Sequence, residues 1–187
     1  MAVLKDFQES LITGEELYRM PDLGRCELVD GRIVPLSPTG RPHGRVGARL
    51  AAHLLLFVES HDLGEVLATD AGVYTRRNPD TVRAPDIMFI SHDRLAGCKE
   101  EGYLNVTPEI VVEVLSPTDR KEQVAKKIEE YFAAKVLRVW VLDFKRRQIL
   151  VYRSETDVQQ LGLGDALTDD ELLPGFRLPL SELFRPT

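Results

Sequence analysis

Cysteine is scarce in this sequence, and long hydrophobic runs are missing. Its two cysteines, Cys26 and Cys98, are too few for a disulfide framework or a cysteine metal cluster. No apolar run approaches the roughly 18 residues of a membrane span, and the first ten residues lack the apolar core of a signal peptide. These absences exclude a disulfide-rich secreted protein and an integral membrane protein. They predict a cytoplasmic protein without a membrane partner.

A strong basic charge is also missing, because the formal net charge is −6. The acidic excess is concentrated in residues 155–187, which hold seven acidic and two basic residues. The preceding part of the chain is nearly neutral and contains two locally basic stretches, residues 41–49 and 76–83. Such arginine-rich stretches either contact phosphates or lie on an ordinary solvated surface, and the sequence leaves both alternatives open.

The first half of the chain contains clear signals for a helix N-terminus and for a hairpin turn. Thr13 with Glu16 forms a capping-box pattern, which predicts a short helix. Asp30-Gly31 separates two β-prone runs and predicts a hairpin. Apolar residues at helical spacing predict a long helix over about residues 43–61, followed by β-prone runs at 64–69 and 72–75.

The second half alternates strands with one helix. The segments "DIMFI" (86–90) and "EIVVEVL" (109–115) are predicted strands. A helix is expected over about residues 120–135, with Asp119 and Glu122 as its capping box. Two more strands are predicted at 138–143 and 148–153, and the last thirty residues are expected to be loop-rich, with residues 172–184 packing back on the body.

Helices that alternate with apolar strands predict a mixed sheet covered by helices. We therefore expect an α/β (α+β) fold with a single sheet. The length of 187 residues corresponds to one domain, spanning residues 1–187 with a core of about 43–153.

Two acidic residues interrupt predicted strands, where burial makes a charge costly. Asp86 precedes four apolar residues, and Glu113 lies within a run of valines. Because sequential strands are commonly neighbours, the two carboxylates are expected to converge at one end of the sheet. They would repel each other unless protonated or bound to a cation. Carboxylate oxygens, with water and substrate phosphate, are what Mg²⁺ prefers, so the pair predicts a metal site for phosphodiester hydrolysis.

A cation is also expected near this site, and two adjacent lysines follow on the next helix. At 100° per residue, Lys127 lies about 40° from Tyr131, at the border of the apolar stripe. Lys126 lies about 100° further round, toward solvent. Lys127 is therefore the residue expected to reach the sheet edge.

Several segments of the chain, taken in order, resemble a known family. The ordered segments "RAPDIMFI", "EIVVEVLSPTDR", "KIEEYFAAKVLRVWVLD", "RRQILVYR" and "LLPGFRLPLSELF" resemble the PD-(D/E)XK nuclease superfamily. They are most similar to its bacterial and cyanobacterial branch, the "putative restriction endonucleases". The resemblance runs from "ELVDG" to the C-terminal segment, about nine-tenths of the chain. It implies a restriction-endonuclease-like fold with an αβββαβ core, the element order inferred above for residues 43–143.

The resemblance implies roles for particular residues. Asp86 and Glu113 match the acidic pair of the motif and would ligate Mg²⁺, with Mn²⁺ as a substitute and the carbonyl of Val114 as a further ligand. The usual motif places its lysine two residues after the second acid, where this chain has Leu115. In this branch the lysine belongs to the following helix, which matches Lys127.

Two further residues match auxiliary positions of the family. Glu27 resembles an N-terminal acid that many members use for metal or water; its alternative role is a hairpin acid paired with Arg25 or Arg32. His43 matches a histidine typical of the branch and would contact a phosphate or position water, the alternative being a helix cap.

The function implied is a Mg²⁺-dependent endonuclease that hydrolyses DNA phosphodiester bonds. Two alternatives remain: a catalytically silent nuclease fold that binds nucleic acid or a protein partner, and a hydrolase of small phosphorylated compounds. Leu115 and the acidic net charge favour the silent alternative. DNA is the expected partner, and analogy with restriction enzymes suggests a homodimer.

Overall fold

The fold consists of five helices and twelve strands within the described residues. The computed structural model describes residues 10–186, apart from positions 22, 69, 100, 117 and 118. Residues 1–9 of the segment considered for a signal peptide therefore lie outside the described residues. So does residue 69, the end of a predicted strand. The helices are α1 (Gly14–Arg19), α2 (Arg41–Ser60), α3 (His92–Leu95), α4 (Lys121–Ala133) and α5 (Leu180–Leu183). The strands are β1 (Cys26–Val29), β2 (Arg32–Pro35), β3 (Gly64–Ala68), β4 (Val73–Arg76), β5 (Thr81–Arg83), β6 (Ile87–Ser91), β7 (Ile110–Val114), β8 (Arg138–Asp143), β9 (Gln148–Tyr152), β10 (Val158–Leu161), β11 (Ala166–Asp169) and β12 (Leu173–Pro179).

The main sheet has six strands in the order β10-β9-β8-β7-β6-β3. Strand β7 pairs with β8 in parallel and with β6 antiparallel, so the sheet is mixed. Helix α4 makes the crossover between the two parallel strands, which such a connection requires. The sequence α2, β3, β6, β7, α4 and β8 is the αβββαβ unit, and the predicted α/β fold class is confirmed.

Both faces of the main sheet are covered. Helix α2 packs its stripe of Val46, Leu50, Leu54 and Val58 on one face, together with strand β12 and helix α5. Helix α4 covers the opposite face through Ile128 and Tyr131. Since strand side chains alternate between faces, successive residues of β6 and β7 enter the two cores in turn. The sheet end between α2 and α4 is where the candidate site lies.

The core on the α2 face gives a direct test of the packing. Leu54 is fully buried, whereas Leu56 on the same helix is 68% exposed. We expect Leu54→Ala to lower the free energy of unfolding by about 2–5 kcal/mol, because it removes buried methyl groups and leaves a cavity. Leu56→Ala should change it by less than about 0.5 kcal/mol. Urea denaturation of both variants measures the difference, and equal effects would contradict this packing.

Local signals at the N-terminal half predicted the structure well. Thr13 caps α1 in a complete capping box with Glu16. The β1–β2 hairpin turns at Asp30 and Gly31, both with positive φ. The predicted single sheet is wrong, however. Strand β5 pairs with the hairpin through Leu28 and Val82, so β2-β1-β5-β4 form a separate four-stranded sheet.

Two predictions about the second half are also wrong. Helix α4 begins after Arg120 without a side-chain cap, because the carboxylate of Asp119 accepts the amide of Ser116 instead. The last thirty residues form strands rather than loops: β10 extends the main sheet, and β11 pairs with β12 in a small third sheet. The predicted packing of residues 172–184 on the body is confirmed, since Leu173, Phe176 and Leu183 lie in the main core.

No helix in the described part of the chain is long and apolar enough to cross a membrane.

Candidate active site

Asp86 lies directly before β6 and Glu113 lies in β7, at the same end of the main sheet. Ile87 lies opposite Val112 in the antiparallel ladder, so the next pair of positions toward this end is Asp86 and Glu113. Oδ2 of Asp86 accepts the amide of Val114 at 2.7 Å, which ties the end of one strand to the other. The acid before the buried strand therefore receives a hydrogen bond that stabilises its charge.

Glu113 is a largely buried acid, 15% exposed, with a hydroxyl and an ammonium partner. The hydroxyl of Tyr131 donates to its Oε1, and Nζ of Lys127 lies 3.3 Å from each carboxylate oxygen. Burial raises the pKa of Glu113, and the charges of Asp86 and Glu27 raise it further, outweighing the opposite effects of Lys127 and Tyr131. The pKa of Tyr131 is raised well above its ordinary value by its own burial and by the Glu113 charge. Tyr131 is therefore a neutral hydrogen-bond donor.

Lys127 bridges two acids. Its Nζ also lies 3.0 Å from Oε1 of Glu27, and its side chain is only 24% exposed. Burial lowers the pKa of Lys127, but Glu113 and Glu27 more than offset this and raise it to about 12. Lys126 on the same helix is exposed, as its predicted orientation requires. The ammonium of Lys127 is thus a fixed positive charge beside Glu113.

Glu27 is held by cations and an amide on both of its oxygens. Oε2 accepts from Nη1 of Arg83 at 2.7 Å, and Oε1 accepts the amide of Ala84 at 3.2 Å in addition to contacting Lys127. Burial raises the pKa of Glu27, but the charges of Lys127 and Arg83 outweigh it and leave the pKa lowered. Arg83 in turn pairs with Glu130 through Nε at 2.7 Å. Glu27 therefore orients Lys127 within an ion-pair network, while Arg25, one of the two partners in the hairpin alternative, pairs with Asp70.

His43 contacts the other acid of the pair. It lies in the first turn of α2, is buried, and its Nε2 is 3.4 Å from Oδ1 of Asp86. Burial lowers the pKa of His43, but the hydrogen bond and charge of Asp86, with a hydrogen bond to the main chain of Val114, leave it raised. The structure thus places all six predicted residues at this sheet end, in two groups: His43, Asp86 and Val114 on the α2 side, and Glu27, Glu113 and Lys127 on the α4 side.

The oxygens at this sheet end have the chemistry of a Mg²⁺ site. Asp86 and Glu113 offer carboxylates, and the main chain of Val114, which contacts Asp86 and His43, adds a carbonyl oxygen at the same strand end. Burial and, to a smaller extent, the charge of Asp86 raise the pKa of Glu113, and a divalent cation bound there would offset both effects. No three His, Cys, Asp or Glu side chains cluster as a metal site among the described residues. The donor set therefore fits an ion that keeps water and substrate ligands, as Mg²⁺ does.

A cleft of about 340 Å³ gives access to the α4 side of this end, lined by Glu27, Arg83, Glu113, Leu115 and Lys127 among others. Leu115, which occupies the usual lysine position, contributes only an apolar wall. The cleft is the candidate entrance for a substrate.

Sequence reasoning missed three members of the site. Tyr131 was assigned only to the apolar stripe, although its spacing of four residues from Lys127 places both on one helix face. Arg83 was grouped with arginines that contact phosphates, but it is buried between Glu27 and Glu130. No local signal identifies Glu130 as its partner, because the two residues are far apart in the chain.

The second basic stretch, residues 76–83, is neutralised within the protein. Besides buried Arg83, Arg76 pairs with Asp30, and Arg77 pairs with Glu15 at 2.8 Å and Asp80 at 3.2 Å. Its arginines therefore stabilise the four-stranded sheet and α1, and the predicted phosphate contact for this stretch finds no support in their side-chain positions.

Comparison with known proteins agrees with this fold. Residues 14–181 match the Uma2 family, described as "Putative restriction endonuclease". A similar solved structure is that of a "putative nuclease belonging to DUF820" from Anabaena variabilis ATCC 29413, with a TM-score of 0.75 and 18% sequence identity. The match covers 92% of this chain and 97% of that one. No curated protein matches the chain significantly. The chain belongs to the Uma2 family of restriction-endonuclease-like proteins.

Proposed function

We propose that the protein is a Mg²⁺-dependent endonuclease that hydrolyses phosphodiester bonds of DNA. The observation that carries the proposal is the pair Asp86 and Glu113 at one sheet end, with the ammonium of Lys127 3.3 Å from Glu113. Two converging acids beside a fixed cation suit a reaction in which negative charge develops on a phosphate. Family membership supports a nuclease as the general class.

The residues that would hold Mg²⁺ are Asp86, Glu113 and the carbonyl of Val114. When bound there, Mg²⁺ supplies Lewis-acid polarisation of the scissile phosphate and a more acidic water. The amide of Val114 orients Asp86, and the hydroxyl of Tyr131 orients Glu113. Both acids are thereby held in one conformation, which reduces the entropy lost when a ligand binds.

Lys127 is the residue that would stabilise the developing charge on the phosphate. Glu27 and Glu113 hold its ammonium at the cleft, and the raised pKa keeps it protonated throughout the physiological range. Glu27 is itself held by Arg83, so the lysine is oriented by a buried network. A preorganised cation of this kind costs no reorganisation during the reaction.

The adjacent lysines provide a matched test of this role. We expect Lys127→Met to lower the rate of plasmid cleavage by about 10²–10³-fold, the usual effect of removing one charge-stabilising donor. Lys126→Met should lower the rate by less than about tenfold, because that exposed side chain also lines the cleft but pairs with neither Glu27 nor Glu113 among the described residues. Initial rates in Mg²⁺ and Mn²⁺, with EDTA as the blank, measure both. Equal rates for the two variants would remove Lys127 from the proposed chemistry.

The alternative is a silent nuclease fold that binds nucleic acid or a protein partner. Its specific support is Leu115, the residue in the usual lysine position. Calorimetric titration with Mn²⁺ separates the two functions. An active site should bind the ion and lose that binding in Glu113→Gln, whereas a silent protein should show no metal binding in either form.

A further inference from the structure

A second basic site lies beside the candidate active site. Four arginines, Arg45, Arg49, Arg147 and Arg185, line a pocket of about 230 Å³ together with two phenylalanines and no acidic residue. We call it the arginine pocket. Arg45 and Arg49 come from α2, Arg147 from the β8–β9 turn, and Arg185 from the segment after α5. Three segments distant in sequence therefore contribute positive charge to one small concave surface.

Three of the pocket's four arginines are not neutralised by the described part of the protein. No carboxylate lies within ion-pair distance of Arg49, Arg147 or Arg185 among the residues that the structure describes. Burial lowers the pKa of Arg49, and the charges of Arg185 and Arg45 lower it further, so these guanidinium groups repel one another. An anion bound among them would remove that repulsion.

Arg49 also builds the pocket. Its Nη1 donates to the carbonyls of Leu183 at 3.1 Å and Arg185 at 2.5 Å. These hydrogen bonds hold the C-terminal segment against α2 and so bring Arg185 next to Arg49. The pocket is therefore a defined structural feature and differs from a chance set of exposed arginines. It also differs from the stretch at 76–83, whose arginines are paired with acids.

The arginine pocket and the candidate active site share one end of the main sheet. Helix α2 carries His43 at the acids and Arg49 in the pocket, about 9 Å further along its axis. The turn with Arg147 follows β8, whose Leu142 lies beside Val114. One DNA strand carries a phosphate about every 3.4 Å of helix axis. A strand seated at Asp86 and Glu113 would therefore present another phosphate to the pocket within a few nucleotides.

We propose that the arginine pocket binds a backbone phosphate of DNA a few nucleotides from the phosphate at Asp86 and Glu113. The proposal rests on the proposed function, because both require DNA as the ligand. Arginine suits this task, since its planar guanidinium donates two parallel hydrogen bonds to a phosphate. The C-terminal segment then takes part in substrate binding, in addition to packing on the core.

DNA binding by full-length variants tests the proposal. The double variant Arg147→Ala/Arg185→Ala is compared with Arg153→Ala/Arg177→Ala, which removes the same charge from exposed arginines outside the pocket. Fluorescence anisotropy of labelled duplex and single-stranded DNA is measured in EDTA at several salt concentrations. We expect the pocket variant to bind at least about tenfold more weakly and to lose about one unit of the slope of log K against log salt. The control should stay within about twofold.

The outcomes separate this proposal from the proposed function. Equal weakening by both double variants would mean a general charge effect and would overturn the pocket. So would unchanged binding by the pocket variant, even if the protein cleaves DNA. If the pocket variant alone loses binding, and the wild-type protein does not cleave DNA in any of the metals tested, the pocket proposal stands and the nuclease proposal is overturned. A protein that binds no DNA would overturn both.

Inorganic phosphate is the probe that distinguishes the source of the anion. In calorimetric titrations, we expect it to bind more weakly than the oligonucleotide and to lose binding in the pocket variant. If inorganic phosphate binds more tightly than DNA and DNA does not displace it, the pocket serves a free anion and the proposal is wrong.

Discussion

Asp86→Asn and Glu113→Gln are each expected to lower the rate of metal-dependent DNA cleavage by about 10³-fold. Each variant replaces a charged oxygen ligand with a neutral amide of the same shape, and metal assistance contributes several kcal/mol to such a reaction. The amide oxygen of Asn can still accept the amide of Val114, and that of Gln can still accept the hydroxyl of Tyr131. The loss should therefore come from chemistry and metal affinity, with thermal stability nearly unchanged.

A second Pro-Asp pair supplies the control for this experiment. Asp80 is more deeply buried than Asp86, with side chains 7% and 18% exposed, and its carboxylate accepts the amide of Gly14 at 2.9 Å and pairs with Arg77. Asp80→Asn should lower stability and leave both the cleavage rate per folded molecule and Mn²⁺ affinity unchanged. Cleavage by Asp86→Asn at the wild-type rate would remove Asp86 from the site.

Arg83→Met is expected to lower the free energy of unfolding by about 3–5 kcal/mol. Arg83 is buried and joins Glu27, whose side chain is 2% exposed, to Glu130. Removing the cation takes Arg83 from both acids and leaves the buried charge of Glu27 with Lys127 as its remaining cationic partner among the described residues, and breaking a buried ion-pair network is strongly destabilising. Arg146→Met is the control, since Arg146 also pairs with an acid but is 70% exposed. It should cost at most about 1 kcal/mol, and urea denaturation at pH 7 measures both.

The pH dependence of the Arg83 effect follows from Glu27. The pKa of Glu27 is lowered in the folded protein, so its charge stabilises the fold above its unfolded pKa of about 4.3. That contribution is lost as the pH falls through the lower folded value. The stability difference between wild type and Arg83→Met should therefore be largest near pH 7 and shrink below about pH 4. A difference that does not change with pH would show that Arg83 acts through packing alone.

Much of the candidate site followed from local patterns. Asp86 and Glu113 stood out because each interrupts an apolar strand, where a charge needs a partner. The helical spacing of Lys127 relative to Tyr131 predicted which of two adjacent lysines faces the sheet. These inferences used periodicity, which local sequence determines directly. Helices α2 and α4 and strands β3, β4 and β6 to β9 followed for the same reason, whereas β5 and α3 were not predicted.

Features that depend on distant contacts could not be predicted in this way. Strand β5 leaves the main sheet to pair with the β1–β2 hairpin, and no local signal specifies that partner. Arg83 reaches Glu27 and Glu130 across 56 and 47 positions of the chain. The arginine pocket likewise joins α2, one turn and the C-terminal segment. The predicted cap at Asp119 failed because its carboxylate accepts a hydrogen bond from the amide of Ser116.

A crystal structure of the protein soaked in Mn²⁺ tests the central claim most directly. The account predicts an anomalous peak with Asp86 and Glu113 as ligands and the carbonyl of Val114 beside them. It also predicts that Nζ of Lys127 stays at the cleft, held by Glu27. A fully soaked crystal without a peak at this sheet end, or with Mn²⁺ bound only elsewhere, would contradict the assignment of Asp86 and Glu113 as a metal site.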